Sequence, residues 1–299
     1  PELALIGRFD FAFVASLLAP LLVILLLHDL RAGERAAGRY ELLCASAAEA
    51  GSLWRLRAML RVAVLALALL LPPLVAGLVE GSPLSGLLQV ALIVVAHLLF
   101  WTLVCALLDP RPWTGPVKLT GLLGLWLLLA VLLPAALRPV IERAHPLPDG
   151  AEILLTQREA VNDAWDLPKE VTMQAFVARH PEWAAHAEIS RPFEWKWYYA
   201  FQQVGDQQAE SLSRAYREGR AARDALAAAL AWLSPPSLVQ RSLQGLAGTD
   251  VAAMLAYEDA VRDFHGRLRG WYYPLLFQNA PLDRSVLARR PDFEPAAVR

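Results

Sequence analysis

Cysteine and lysine are scarce in this sequence, and several catalytic motifs are missing from it. The chain of 299 residues has 2 cysteines, Cys44 and Cys105, so residues 138–299 contain neither a disulfide nor a thiolate metal site. No lysine follows a glycine, which excludes a phosphate-binding P-loop. The patterns HExxH, CxxC and GxSxG are also missing. We therefore predict that the chain is not an enzyme by itself and holds no metal or cofactor.

Charge is unevenly distributed along the chain. Residues 1–137 carry 9 basic and 8 acidic side chains, whereas residues 138–299 carry 19 basic and 21 acidic ones. The formal net charge is −1 and neither part is strongly basic, which excludes a nucleic-acid partner. Because 56% of the residues are apolar, against ~45–50% in soluble domains, the composition favours a membrane protein. The change in charge density predicts two domains, 1–137 and 138–299.

Four uncharged runs indicate membrane spans. They are 17, 18, 28 and 19 residues long and cover Phe11–Leu27, Val62–Val79, Gly81–Leu108 and Leu119–Leu137. A helix needs ~17–25 apolar residues to cross a hydrocarbon core ~30 Å thick. We predict spans at about 10–27, 62–79, 84–108 and 119–137. Buried helices of a large soluble protein are the alternative, which four such runs close together disfavour.

The loops between the spans predict their orientation. Six arginines lie in the loop 28–61, and Arg111 and Lys118 lie in the loop 109–118, whereas Glu80 is the only charge between the second and third spans. Cytoplasmic loops carry an excess of lysine and arginine. We therefore expect a multi-pass protein of a bacterial inner membrane, with residues 28–61 in the cytoplasm and residues 138–299 on the extracytoplasmic side.

Residues 138–299 are predicted to form a helical domain, which makes the whole chain an all-α polytopic membrane bundle with a helical outer domain. Thr156 and Glu159 have the spacing of a capping box and predict a helix from there to about Trp165. Further helices are expected from Pro168 to before His180, then over about 193–233, 237–245 and 251–277. Six tryptophans lie in this half. They suit an aromatic ligand site or core and membrane-interface anchors, and we favour the anchors and core.

His97 and Trp101 are the candidate substrate-pathway residues of the third predicted span. An ionisable side chain inside a membrane span is expensive and marks a pathway or a proton relay in many transporters. A neutral histidine that is hydrogen-bonded between helices is the alternative. We favour this alternative because the span contains no acidic partner for His97.

The segment after the first span carries the most specific motif. The string PLLVILLLHDLRAGERAAG begins at Pro20 and ends at Gly38. It resembles the signature of type-2 ABC exporter permeases, in which a membrane helix with an early Pro-Leu ends in an Asp and a Glu-Arg-acid-x-Gly-Thr coupling helix follows. The matching residues are Asp29, Glu34, Arg35 and Gly38, whereas Ala36 and Arg39 replace the acid and the threonine.

This resemblance implies the membrane-spanning permease subunit of an ATP-driven ABC exporter, with an unidentified substrate. The coupling helix, at about residues 31–44, is expected to dock on a separate cytosolic ABC ATPase that holds ATP and Mg. Glu34 and Arg35 are the expected ATPase contacts, and Gly38 is expected to allow close approach of the helices. The other implied partners are membrane lipid and a second permease protomer, either identical or paralogous.

The outer half resembles a large insertion of unknown function that a subset of these permeases carries. The stretches that carry the resemblance are Phe193–Phe201, Leu233–Leu238, Leu246–Asp250 and the helix from Tyr257 to Tyr273. The family has six spans, so by this resemblance the chain holds spans two to five and the second insertion. A hypothesis of another class stays open, namely a membrane-anchored sensor or interaction protein whose outer domain binds a ligand or partner.

Overall fold

The structure, a computed structural model, describes residues 10–46 and 49–294. It is 82% helical, and no strand occurs among the described residues. The all-α fold predicted from the sequence is thereby confirmed.

Six helices, α1 to α6, make up the apolar part of the chain. They are α1 (Phe11–Phe13, the π-helical turn Val14–Leu18 and Ala19–Leu27), α2 (Ala32–Ala36), α3 (Tyr40–Ser46), α4 (Ala50–Val79), α5 (Leu84–Leu108) and α6 (Gly115–Leu127, the π-helical turn Leu128–Leu132 and Leu133–Ala144). Four stretches are long and apolar enough to cross a membrane, namely Phe11–Ala36, Gly51–Val79, Leu84–Leu108 and Gly115–Ala144. Each overlaps one of the four predicted spans, the first extending beyond its predicted end and the second beginning before its predicted start, which confirms a membrane protein. Which loop faces the cytoplasm stays a prediction.

Helix α1 forms the centre of this bundle. Ala19, Val23 and Ile24 are fully buried and pack with residues of α4, α5 and α6 in one hydrophobic core. Helix α4, in contrast to α1, exposes many of its apolar side chains, among them Leu67 and Leu78. An exposed apolar surface of this extent is unfavourable in water and favourable against lipid tails. The distribution of leucine therefore agrees with a bundle whose rim faces the bilayer.

Two π-helical turns release backbone carbonyl groups that side chains then bind. In the turn Val14–Leu18, His97 Nε2 lies 3.2 Å from Ser16 O. The indole of Trp126 donates to Leu17 O over 3.1 Å. In the turn Leu128–Leu132, the Ser234 hydroxyl donates to Leu129 O over 2.7 Å. A wider helical turn leaves polar backbone groups without their usual partner, and a lipid environment requires that other protein groups satisfy them.

Six further helices, α7 to α12, follow. They are α7 (Gly150–Asp166), α8 (Lys169–Arg179), α9 (Trp195–Leu230), α10 (Pro235–Leu246), α11 (Val251–Phe277) and α12 (Arg284–Ala288). The capping box predicted at Thr156 is wrong, because α7 begins earlier and the Asp149 side chain accepts from Ala151 N at its start. The predicted end of α8 before the His180-Pro181 pair agrees with the structure, as do the bounds of α11.

The chain divides into two compact units that differ from the predicted domain boundary. The first unit contains the chain up to Ile141 together with Ala225–Asp250, and the second contains Glu142–Asp224 and the chain from Val251 onward. The predicted boundary at 137/138 had placed residues 225–250 in the outer domain because it rested on the charge density of residues 138–299 taken as a whole. Helix α10 nevertheless buries Val239 and Leu243 in the core of the first unit, because its apolar residues share one face.

An aromatic core stabilises the second unit. Trp197 and Phe201 of α9 pack against Phe176 of α8 and Tyr273 of α11. Tyr273 is buried in this core. A close approach brings α7 and α9 together, since a Cβ placed on Gly205 would lie only 2.6 Å from Cγ2 of Val161. Only a glycine at this position lets the two helices pack at such a short separation.

Candidate functional site

The segment between α1 and α4, residues 28–46, forms an elbow rather than one coupling helix. The single helix predicted over about 31–44 is interrupted between α2 and α3, where Gly38 has a φ of +69°. Residues with a side chain rarely adopt this left-handed conformation, which explains the glycine. Apart from its neighbours in the chain, no atom of the described residues lies within 4 Å of a Cβ built on Gly38, so Gly38 turns the backbone and makes no close contact with another described helix.

Asp29 lies where the chain leaves α1 for the elbow. Its carbonyl oxygen accepts a hydrogen bond from Gly33 N over 2.7 Å, which closes the turn that leads into α2. A Cβ built on Gly33 would lie 3.3 Å from Oδ2 of Asp29, and one built on Gly115 would lie 3.6 Å from its Cβ. Asp29 therefore occupies a crowded position between the elbow and the start of α6.

Glu34 joins the elbow to α4. Its Oε1 accepts from Nη1 of Arg57 over 2.9 Å, and its Oε2 accepts from Nε of Arg39 over 2.9 Å. Its side chain is 17% exposed. The Arg57 side chain comes from the first turns of α4, so the carboxylate connects α2 to a membrane-length helix. Charge-assisted hydrogen bonds of this kind are about twice as strong as neutral ones, and both carboxylate oxygens are engaged within the chain.

A stack of cations and aromatic rings reinforces the same connection. The Arg35 guanidinium carbon lies 4.5 Å from the centre of the Tyr40 ring. The Tyr40 ring stacks on the Trp54 ring with a centroid distance of 5.7 Å and an angle of 13°. The guanidinium carbons of Arg31 and Arg57 lie 5.7 and 5.3 Å from the Trp54 ring centre. Because a cation is attracted to the face of an aromatic ring, the stack holds α2 and α3 against the start of α4.

A buried ionic cluster connects the elbow to the end of α5 and the start of α6. Nε of Arg31 lies 2.9 Å from Oδ2 of Asp109, and Nζ of Lys118 lies 3.8 Å from its Oδ1. The Lys118 ammonium also donates to the backbone oxygen of Asp109 over 2.6 Å. The side chains of Lys118 and Asp109 are only 1% and 8% exposed. Burial raises the pKa of Asp109 above its ordinary value, and the positive charges of Arg31 and Lys118 offset only part of this rise.

This cluster was not predicted from the sequence. Lys118 was interpreted only as a charge that reports the side of the membrane, and no role was assigned to Asp109. A signal for Asp109 was present, because this acid follows the longest uncharged run directly and stands beside a basic loop. The pairing with Arg31 was not predictable from the sequence, because Arg31 lies 78 residues before Asp109 in the chain.

His97 and Trp101 lie in the core of the first unit. Both side chains are buried, and the His97 ring meets the Trp101 ring edge-on at a centroid distance of 6.5 Å. The bond between His97 and Ser16 O makes this histidine a partner of the α1 backbone. Among the residues that the structure describes, no hydrogen bond or ring contact joins His97 or Trp101 to Glu34 or Asp109. Within residues 10–46 and 49–294, no three His, Cys, Asp or Glu side chains are placed to share a metal ion.

The comparisons with known proteins bear on the second half of the chain. Residues 151–296 match the sequence profile of a family described as a domain of unknown function (DUF3526). No curated protein and no solved structure matches the chain. The profile match covers most of α7 to α12 and lies outside the elbow, so the elbow has to be interpreted from its own geometry.

Proposed function

We propose that the chain is the membrane subunit of an ATP-driven exporter of the type-2 ABC permease class, and that the elbow receives the movement of a separate cytosolic ATPase. The observation that supports this proposal best is the double connection of the elbow. Glu34 connects α2 to α4 through Arg57, and Asp109 connects Arg31 to the ends of α5 and α6. A segment that only linked two spans would not need ionic connections to three of them.

The connections define how a push on the elbow reaches the bilayer. A force on α2 and α3 is passed to the starts of α4 and α6 and to the end of α5, because charged pairs join them. The spans then move together as rigid bodies, which is a common form of conformational switching. Nucleotide hydrolysis takes place on the ATPase, so this chain contributes the receiving surface and the moving helices.

The expected ATPase contact is the surface of the elbow that is exposed and does not pack against the membrane helices. Arg35 is exposed there, and the Leu42 side chain is 69% exposed in the middle of α3. Glu34, the contact expected from the family motif, instead has both carboxylate oxygens bonded to arginines of this chain. We therefore assign Glu34 a bracing role within the elbow and assign the intermolecular contact to Arg35 and Leu42.

Purification of the protein in a mild detergent tests this proposal. A P-loop ATPase from the same cells should co-purify with the native chain, and the double variant Arg35→Glu/Leu42→Asp should release it. Arg191→Glu in the second unit is a matched charge reversal at another exposed arginine and should retain the ATPase. Failure of any ATPase to co-purify with the native chain, or equal release by both variants, would contradict the proposal.

A sensor function is the second candidate, and one observation favours it. The second unit contains an open cleft of about 840 Å³ between α7, α9 and α11. The cleft is lined by amides and guanidinium groups, among them Gln157, Gln203, Arg179, Arg262 and Arg269. Its volume is within the ~300–1,000 Å³ that is usual for ligand pockets. If no ATPase associates with the chain while this cleft binds a ligand, the sensor function replaces the exporter.

A further inference from the structure

A second cavity, of about 590 Å³, lies inside the first unit. Its volume is within the ~300–1,000 Å³ that is usual for ligand pockets. Apolar side chains form most of its walls, including Phe13 and Leu17 of α1, Pro134 and Leu137 of α6, and Leu230. The exporter mechanism proposed above makes no use of this cavity.

Helix α10 gives the cavity one polar wall. Its apolar residues Pro236, Val239 and Leu243 are buried, and the last two pack in the core formed with α1 and α5. Its other face presents Ser237, Gln240, Arg241 and Gln244 to the cavity. The spacing of three or four residues keeps these polar side chains on one stripe of the helix. A cavity with apolar walls on one side and a polar stripe on the other suits an amphiphile.

Buried hydrogen bonds fix the polar wall in place. The hydroxyl of Ser16 on α1 donates to Oε1 of Gln240 over 2.7 Å, and the Ser234 hydroxyl donates to Leu129 O of α6. Both serine side chains are fully buried. The position of α10 between α1 and α6 is therefore specified by polar contacts, which would be costly to leave unpaired in this apolar surrounding.

The lining residues of the spans place the cavity at the end of the bundle opposite to the elbow. They belong to the first turns of α1 and to the second half of α6, whereas the elbow follows the last turn of α1. Leu129 and Leu137 both lie in the uncharged run of α6, within the length that crosses the hydrocarbon core. The nearest source of an apolar ligand at this depth is the bilayer itself.

From these observations we infer that the cavity is a binding site for a membrane lipid, with an acyl chain along the walls of α1 and α6 and polar groups along α10. Asp10 and Arg241 contribute one negative and one positive charge to the lining, so the lining carries no net charge and suits a zwitterionic head group better than an anionic one. That such a lipid is also the exported cargo rests on the proposed function, whereas its binding does not.

Photo-crosslinking on the full chain in lipid nanodiscs tests the inference. The probe is a phosphatidylethanolamine that carries a diazirine in its acyl chain, and the labelled peptides are identified by mass spectrometry. Labels are expected in the peptides 11–17, 130–141 and 227–244. Ala227 lines the cavity, so Ala227→Phe should fill it and reduce labelling on the order of tenfold, the change that ~1.4 kcal/mol of lost binding produces.

Ala228→Phe is the matched control, since Ala228 is the exposed neighbour of Ala227 on the same helix. It should label as strongly as the native chain. Labelling that is absent from the three peptides, or equal in both variants, overturns the inference. An excess of phosphatidylglycerol that competes as well as phosphatidylethanolamine overturns the zwitterionic assignment. ATPase co-purification is measured on the same samples, so the lipid site and the exporter proposal can fail independently.

Discussion

Asp109→Asn is expected to be the most damaging single change in the elbow region. The substitution keeps the shape of the side chain but removes the negative charge that faces Arg31 and Lys118. Lys118 would keep its hydrogen bond to the backbone oxygen of residue 109, which the change does not touch. The ammonium would nevertheless remain buried without an opposite charge.

The size of the effect follows from burial. Removal of one partner from a buried ion pair destabilises a protein by ~3–5 kcal/mol, because it leaves an uncompensated charge. The surviving backbone bond reduces this penalty, so we expect a loss of about 3 kcal/mol. Glu49, which precedes α4, forms an ion pair with Arg55 of α4, and their side chains are 67% and 63% exposed. Glu49→Gln is thus the matched control, with an expected loss of at most ~1 kcal/mol.

Thermal denaturation in detergent measures both variants, and ATPase co-purification gives a second readout. Asp109→Asn should lower the midpoint far more than Glu49→Gln does. The double variant Asp109→Asn/Lys118→Met should recover part of the loss, since it removes the unpaired ammonium as well. Equal midpoints for the two single variants would refute the view that the cluster is a buried structural connection.

Three further predictions concern other parts of the chain. Gly38→Val should destabilise the elbow by ~1–2 kcal/mol through its left-handed φ and expose it to limited proteolysis, whereas Gly124→Ala, which meets open space, should not. Gly205→Ala should lower the thermal midpoint by overpacking against Val161, at a cost of ~1–3 kcal/mol, and Val161→Ala in the same chain should recover only part of the loss, because the new Cβ would still lie 3.2 Å from the backbone oxygen of Gln157. Burial raises the pKa of Glu194, but hydrogen bonds from Ser190, Lys196 and Arg191 outweigh it and lower that pKa from 4.5 to about 2. The stability from Glu194 is therefore present above pH 4.5 and is lost as the pH falls towards 2, and Glu194→Gln should flatten this part of the pH profile of the midpoint.

Much of the fold could be predicted because membrane spans and helices depend on short stretches of sequence. Uncharged runs of sufficient length gave the four spans, and α5 has the bounds predicted for it. Prolines and glycines marked several helix ends, such as the end of α8 before Pro181. The capping-box prediction at Thr156 failed because Asp149 offered an earlier cap, and local patterns do not rank competing caps.

The elbow shows which features a sequence motif predicts and which it does not. Its position after the first span, and the identity of Asp29, Glu34, Arg35 and Gly38, were available from the sequence. The partners of these residues were not, because Arg57 lies 23 residues from Glu34 and its direction depends on how α4 packs. The motif therefore located the segment, while the contacts of Glu34 favour a brace over the intermolecular contact that the family resemblance implied.

Sequence alone determined the features that depend on neighbours along the chain, namely the helical class, the four membrane-length stretches and the elbow after the first of them. Tertiary structure decided which distant groups meet. It brought Arg31 to Asp109, placed His97 on the carbonyl of Ser16 and moved residues 225–250 into the first unit. The physical reason is that a buried charge or a freed carbonyl must find a partner wherever packing supplies one, and sequence separation places no limit on that choice.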